Sequence, residues 1–117
     1  SLNKKLWNCA KFIRPHICHD HITESDELFI APYLDKLKTI DDMLDQYQYA
    51  DSAALLYDFI FEDFSHDIIE QLKGRIFQGD NSVKSSLTLL FSAILCKTSI
   101  FMPFISYEIN ELLGLNS

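Results

Sequence analysis

The stretch DSAALLYDFIFEDFSHDIIEQLKG, residues 51–74, decides the fold. Ala53, Leu56, Tyr57, Ile60, Phe64, Ile68 and Leu72 follow one another at three- and four-residue steps, the spacing that lines one side of an α-helix. Asp51 or Ser52 can cap its start, and Gly74 suits the position just past its end. A long aromatic helix is therefore expected here, and its apolar side needs partners.

Those partners lie on both sides in the chain. Downstream, Gly79-Asp80-Asn81-Ser82 reads as a turn followed by a cap, and Val83, Leu87, Leu90, Phe91, Ile94 and Leu95 continue as a fourth helix toward Phe101. Met102-Pro103 breaks it, Pro103 fits the first turn of a short fifth helix through Leu113, and Gly114 closes that one. Upstream, Thr23 or Ser25 can cap a second helix with Asp26 and Glu27 in its first turn, where the helix dipole favours acids. It should run to about Tyr47 with Leu34, Leu37, Ile40 and Leu44 inward; Pro32 either begins its main part, leaving Leu28 to Ala31 as a separate turn, or kinks it. His16 to Thr23 lacks a period and reads as a loop. Leu2, Leu6, Cys9, Ala10 and Ile13 form one stripe of a first helix, which Arg14-Pro15 ends. The expectation is an all-α fold: an antiparallel bundle of four main helices plus a short C-terminal helix, one domain over residues 1–117.

Composition agrees. The 117 residues are 48% hydrophobic, enough for one core, and hold only 3 Gly and 3 Pro, too little turn chemistry for a many-stranded sheet fold. The start at Ser1, without an initiator Met or signal peptide, suggests a piece of something longer. The three cysteines, Cys9, Cys18 and Cys96, are odd in number and widely spaced, which suits a reducing, cytoplasmic setting rather than a disulfide framework. The most apolar run, Ser86 to Ile105, is interrupted by Ser92, Lys97, Thr98, Ser99 and Pro103 and reads as a buried helix, so no membrane is expected as a partner. The formal charge of −7 is unevenly spread: residues 1–14 carry Lys4, Lys5, Lys11 and Arg14 with no acid, whereas residues 15–70 carry fourteen acids against Lys36 and Lys38.

The sequence offers little chemistry of its own. His16, Cys18, His19, Asp20 and His21 place five potential metal ligands in six residues, but Cys9 and Cys96 have no ligand neighbours to complete a structural zinc site, so an exposed polar loop is the favoured reading. Asp41-Asp42, Asp45 and Glu62-Asp63 have the spacing of solvated helix faces. Ser65, His66 and Asp67 are adjacent and would point in different directions on a helix, which rules out a triad among them. There is no glycine-rich phosphate loop, no Gly-x-Ser-x-Gly elbow and no His-Glu-x-x-His. No catalytic residue is assigned.

Three stretches carry a resemblance. Lys5-Leu6-Trp7-Asn8-Cys9-Ala10-Lys11-Phe12-Ile13 looks like Lys-Leu-Trp-Asn-Ala-x-(Arg/Lys)-Phe. Ala54-Leu55-Leu56-Tyr57-Asp58-Phe59-Ile60-Phe61-Glu62-Asp63-Phe64 is similar to Ala-x-x-Leu-Tyr-x-Phe-x-Trp-x-(Glu/Asp)-Phe, and Phe101-Met102-Pro103-Phe104-Ile105-Ser106-Tyr107-Glu108-Ile109 to Pro-Phe-Met-Pro-Phe-(Ile/Val)-Thr-Glu-Glu-(Ile/Leu). In this order and separation they resemble the anticodon-binding domain of the class I aminoacyl-tRNA synthetases for valine, isoleucine, leucine and methionine, with the first stretch closest to the valyl form. The chain departs from the pattern at Phe61, where a Trp is usual, at His66 to Glu70, which replace an acid and a Trp before Tyr-Ile-Glu, and at Thr98-Ser99-Ile100, which replace Leu-His-Pro.

The resemblance implies a non-catalytic module that grips the anticodon stem and loop of tRNA beside the catalytic domain of a longer parent. ATP and magnesium would serve that parent domain, whose His-Ile-Gly-His and Lys-Met-Ser-Lys-Ser signatures are absent here, and this stretch would hold no cofactor. Lys11 and Phe12 match the family's basic-aromatic pair, and Lys4, Lys5 and Arg14 can neutralise phosphates while an exposed aromatic stacks an unpaired base. Trp7 is expected in the core and Asn8 in a helix–helix hydrogen bond. The competing readings are the same domain of an isoleucyl, leucyl or methionyl enzyme, or a helical module whose acidic middle meets a basic protein.

Overall fold

Seven positions of the long central helix stand four residues apart: Ser52, Leu56, Ile60, Phe64, Ile68, Leu72 and Ile76, and all are buried. In an α-helix of 3.6 residues per turn such a stripe would wind away by roughly 40° at each step. The computed structural model, which describes residues 1–115, shows how the chain keeps it on one face. Helix α3 (Tyr49–Asp58) passes without interruption into a π-helical segment (Phe59–Ile68) and then into α4 (Ile69–Phe77), and the wider π turn holds back the drift. The Ser65 hydroxyl donates to the carbonyl of Ile60 five residues earlier, at 2.7 Å. Phe59 and Ile69 are added to the buried face, whereas Tyr57 is displaced to the surface and Ala53 is only partly buried.

This rod begins two residues before the expected cap and runs past Gly74 to Phe77. The stop is at Gly79, which adopts φ +82 and lets the Asp80 N–H reach the Arg75 carbonyl, so the left-handed residue that closes the helix is the next glycine along. Helix α1 (Leu2–Ile13) and α2 (Glu24–Asp45) precede the rod; α5 (Asn81–Phe101) and α6 (Pro103–Leu113) follow it. Pro32 lies inside α2 on its exposed side and does not divide it. The last turn of α2 closes through Tyr47, the one described non-glycine residue with positive φ, at 61°.

Successive rods alternate in direction. Thr23 at the head of α2 bonds Ser82 at the head of α5, and Asp41 late in α2 meets Lys97 late in α5 at 3.1 Å, so those two run parallel. Arg75 near the end of the rod meets Asp26 at the start of α2, so the rod runs against α2. Lys5, Cys9 and Phe12 of α1 meet Phe61, Ser65 and Phe77 in that order, which sets α1 alongside the rod. The all-α bundle of four main helices and a short terminal one is thus present, with Phe64 stacked on Phe91 at 5.7 Å in its centre. Its radius of gyration, 13.6 Å, is that of one compact domain of this length. At 21 residues α5 is long and apolar enough to cross a membrane, yet twelve of its side chains are buried in the bundle.

The segment after α1 is strapped down. A short 3₁₀ turn (Arg14–His16) leads into an extended run whose backbone N–H groups donate to hydroxyls of α5: Cys18 to Thr88, Asp20 to Ser85 and Thr23 to Ser82, at 3.1, 2.9 and 2.9 Å. These hydroxyls recur every third residue along one side of α5, and each satisfies a loop N–H that would otherwise need water.

Candidate nucleic-acid interface

Helix α1 owes its two sides to its spacing. Leu6, Cys9, Ala10 and Ile13 are buried between the rod and α6. Lys4, Asn8 and Lys11 stand on the opposite side and are exposed, with Arg14 exposed at the following turn. Lys4 and Lys11 are two turns apart, about 10 Å along the axis. None of Lys4, Lys11 or Arg14 forms an ion pair among the described residues, and α1 contains no acid. Three free cations therefore line an outward face of a chain that is acidic elsewhere.

Lys5 differs from its neighbours. It is half-buried, and its ammonium lies 5.4 Å from the centre of the Phe61 ring, which itself stacks on Tyr57 at 4.3 Å. Part of its charge is committed to that cation–π contact. Phe61, the position where a Trp was expected, thus joins α1 to the rod.

Phe12 is also not free. Its ring is half-buried and packs against His16 at 5.7 Å and against Phe77 at 6.1 Å, with His16 and Phe77 5.9 Å apart. Of the three rings, Phe77 is 62% exposed. Burial pushes the His16 imidazole below its ordinary pKa, and the nearby Lys84 adds to the effect, so His16 is a neutral ring at pH 7. Trp7, expected in the core, packs against it but is only half-buried. Asn8 departs from expectation: its side chain is exposed and makes no hydrogen bond among the described residues.

Phe77 was missed because the helix was expected to stop at Gly74. The signal available was Gly79, a better stop than Gly74 because an Asp that can cap the next helix follows it.

The end of the bundle carrying these rings is held by a charged clasp. Arg75 sends two parallel hydrogen bonds to the carboxylate of Asp26, at 2.8 and 2.9 Å, and two more to one oxygen of Asp80, at 3.0 and 2.9 Å. Asp80 uses its other oxygen to cap α5 through the N–H groups of Ser82 and Val83, and the Ser82 hydroxyl donates to Asp26 at 2.6 Å. The Arg75 guanidinium holds both carboxyls below the ordinary carboxylate range; Ser82 helps at Asp26, and the Val83 N–H helps at Asp80. Both acids of the clasp are thus bonded to Arg75, which offsets one of their two charges.

The other candidates resolve differently. His16, Cys18, His19, Asp20 and His21 are strung along the extended strap, and no group of three His, Cys, Asp or Glu side chains is gathered for a metal ion among the described residues. Ser65 points at Cys9 and Ile60 while His66 bonds Asp67 at the surface, which separates the would-be triad. Asp63 and Asp41 are paired with Lys36 and Lys97.

Comparison with known proteins comes to the same place. Residues 26–117 match the family described as the anticodon-binding domain of tRNA ligase. The valine–tRNA ligase of Natronomonas pharaonis is 29% identical over 117 aligned residues, taking in 89% of this chain and 13% of its own length. That of Mycoplasma genitalium is 33% identical over 121 residues, with 92% of this chain and 14% of its own length covered. For Orientia tsutsugamushi the figures are 26% identity, 95% and 15%, a match that leaves out too few residues to miss α1. The chain spans about one seventh of the length of these curated relatives. No solved structure matches it.

Proposed function

The chain belongs to the family of anticodon-binding domains of tRNA ligases, and from that premise we propose that it grips the anticodon stem and loop of a valine tRNA for a cytoplasmic valine–tRNA ligase. The catalytic domain of that enzyme, with its ATP and magnesium, is then the second partner, and this domain positions tRNA for it without a cofactor of its own. The observation that carries the reading is the exposed row of Lys4 and Lys11 on α1 and Arg14 in the turn after it, unpaired among the described residues, in a domain of this family. Cations spaced by two helical turns can bridge successive phosphates of one strand, while Lys5 and Phe12 hold the helix against the rod. The chain as a whole carries −7 despite these cations, so the remaining surface is acidic and keeps non-specific RNA off.

The test is the salt dependence of binding. For Lys4→Ala, Lys11→Ala and Arg14→Ala combined, the slope of log affinity against log salt should fall by about 0.7 to 0.9 for each phosphate that is no longer neutralised. An unchanged affinity and slope for a valine tRNA would remove α1 from the interface. Lys5→Ala should act more weakly on the slope than Lys11→Ala, because its charge already rests on Phe61.

A further inference from the structure

Phe77 is an aromatic ring packed against two others with most of its surface in solvent. It closes α4 two residues before the Gly79 turn and is 62% exposed, yet two other rings pack against it steeply inclined to its plane. Phe12 meets it at 76° and His16 at 67°, and those two lean on each other at 52°. A phenylalanine kept only for packing would turn its faces inward, because leaving them in water forgoes about 25 cal/mol for each Å².

The surroundings select the ligand. Lys11 adjoins Phe12, Arg14 stands two residues before His16, and Lys84 is close enough for its charge to act on His16. Opposing them, Asp26 and Asp80 share the one Arg75 guanidinium, which offsets half of their charge and draws both carboxylates toward itself, and the exposed Asp20 accepts a hydrogen bond from Asn81 at 2.9 Å. An exposed apolar ring with Lys84 near its His16 support, and with Lys11 and Arg14 next along the chain to its supporting residues, fits an unpaired nucleobase with its phosphates on either side. An aliphatic protein segment would use the face but not the charges, and an acidic one the charges but not the face.

We propose that Phe77 is the platform on which one unpaired base of the bound RNA stacks, backed by Phe12 and His16, with Lys11, Arg14 and Lys84 on the adjoining phosphates. This rests on the tRNA reading above and moves the base contact from α1 to the turn between α4 and α5. Phe12, the residue that the sequence alone favours for stacking, becomes its support.

The experiment uses the 117-residue chain with two RNAs at low salt: a hairpin copied from the anticodon stem and loop of a valine tRNA, and a loopless duplex with as many phosphates. Phe77→Ala and Phe77→Leu should each weaken hairpin binding about tenfold. They should leave the duplex and the salt slope unchanged, while Phe77→Trp keeps the hairpin affinity. Phe77→Leu retains the apolar contact with Phe12, and matching melting curves show the bundle intact. Lys84→Ala should lower affinity for both RNAs and flatten the slope. Hairpin binding unaltered by either Phe77 variant, while the Lys4, Lys11 and Arg14 triple variant loses it, overturns the platform and spares the α1 interface. Equal loss on hairpin and duplex also overturns the platform. If the triple variant binds as the unaltered chain does, both readings fall.

Discussion

Replacing Arg75 with Leu removes the hub of the clasp and leaves the Asp26 carboxylate, whose side chain is 7% exposed, without its cation. Breaking one partner of a buried ion pair costs about 3–5 kcal/mol. Here 43% of the guanidinium side chain is in solvent and Ser82 still donates to Asp26, so the expected loss is smaller, about 2–3 kcal/mol. For a domain of this length that lowers the melting temperature by on the order of 10 °C. The pH dependence gives a second readout. Both carboxyls titrate below their unfolded value of about 3.9, so the stability they confer is present above that pH and is lost as pH falls through the folded values. In the variant the guanidinium, the largest influence holding the Asp26 carboxyl low, is gone and burial is opposed only by the Ser82 and Thr23 hydrogen bonds, so acid relieves its charge. The gap between the two proteins should therefore be widest at neutral pH and narrow below about pH 4. Urea titrations across that range decide the matter. A gap that is equally wide in acid, or a loss under about 1 kcal/mol at neutral pH, refutes the account of the clasp.

Four further substitutions test the packing account. Gly74→Ala should stabilise by about 0.5–1 kcal/mol in a denaturant titration, since the residue lies within α4 and an added Cβ meets nothing within 4 Å. Tyr47→Gly should raise stability by about 1 kcal/mol, because an L-residue at φ 61° is strained where glycine is not. Lys97 is nearly buried while Asp41 is half in solvent, so Lys97→Met should be neutral or stabilising in thermal melts, whereas Asp41→Asn should destabilise by leaving an uncompensated buried cation.

Periodicity placed α1, α2, α5 and α6 because each has a three- and four-residue stripe, with caps read at the heads of α2 and α5 and with Pro15, Pro103 and Gly114 marking the ends of α1, α5 and α6. The rod was legible as a helix but not in its details. Its stripe repeats every four residues, which a period of 3.6 extends to Tyr57 and Ala53, and only the π segment shows why Phe59 and Ile69 belong inside instead. Gly74 misled for a related reason: a glycine in sequence does not announce whether it sits at φ +82, as Gly79 does, or inside a helix. At the candidate interface, the outward placement of Lys4, Lys11 and Arg14 followed from helical spacing. The binding of Lys5 to Phe61 and of Phe12 to Phe77 did not, because these contacts join residues 56 and 65 positions apart and no local pattern encodes them. The strap of residues 16–23 was equally hidden, although the hydroxyls at 82, 85 and 88 stood in plain spacing for it.

The central claim is that this surface meets the anticodon arm, and chemical probing of a full-length valine tRNA with and without the chain tests it most directly. Protection should fall on the anticodon loop and the adjoining stem phosphates, and should vanish with the Lys4, Lys11 and Arg14 triple variant. Protection confined to the acceptor arm, or the same footprint with the triple variant, would contradict it.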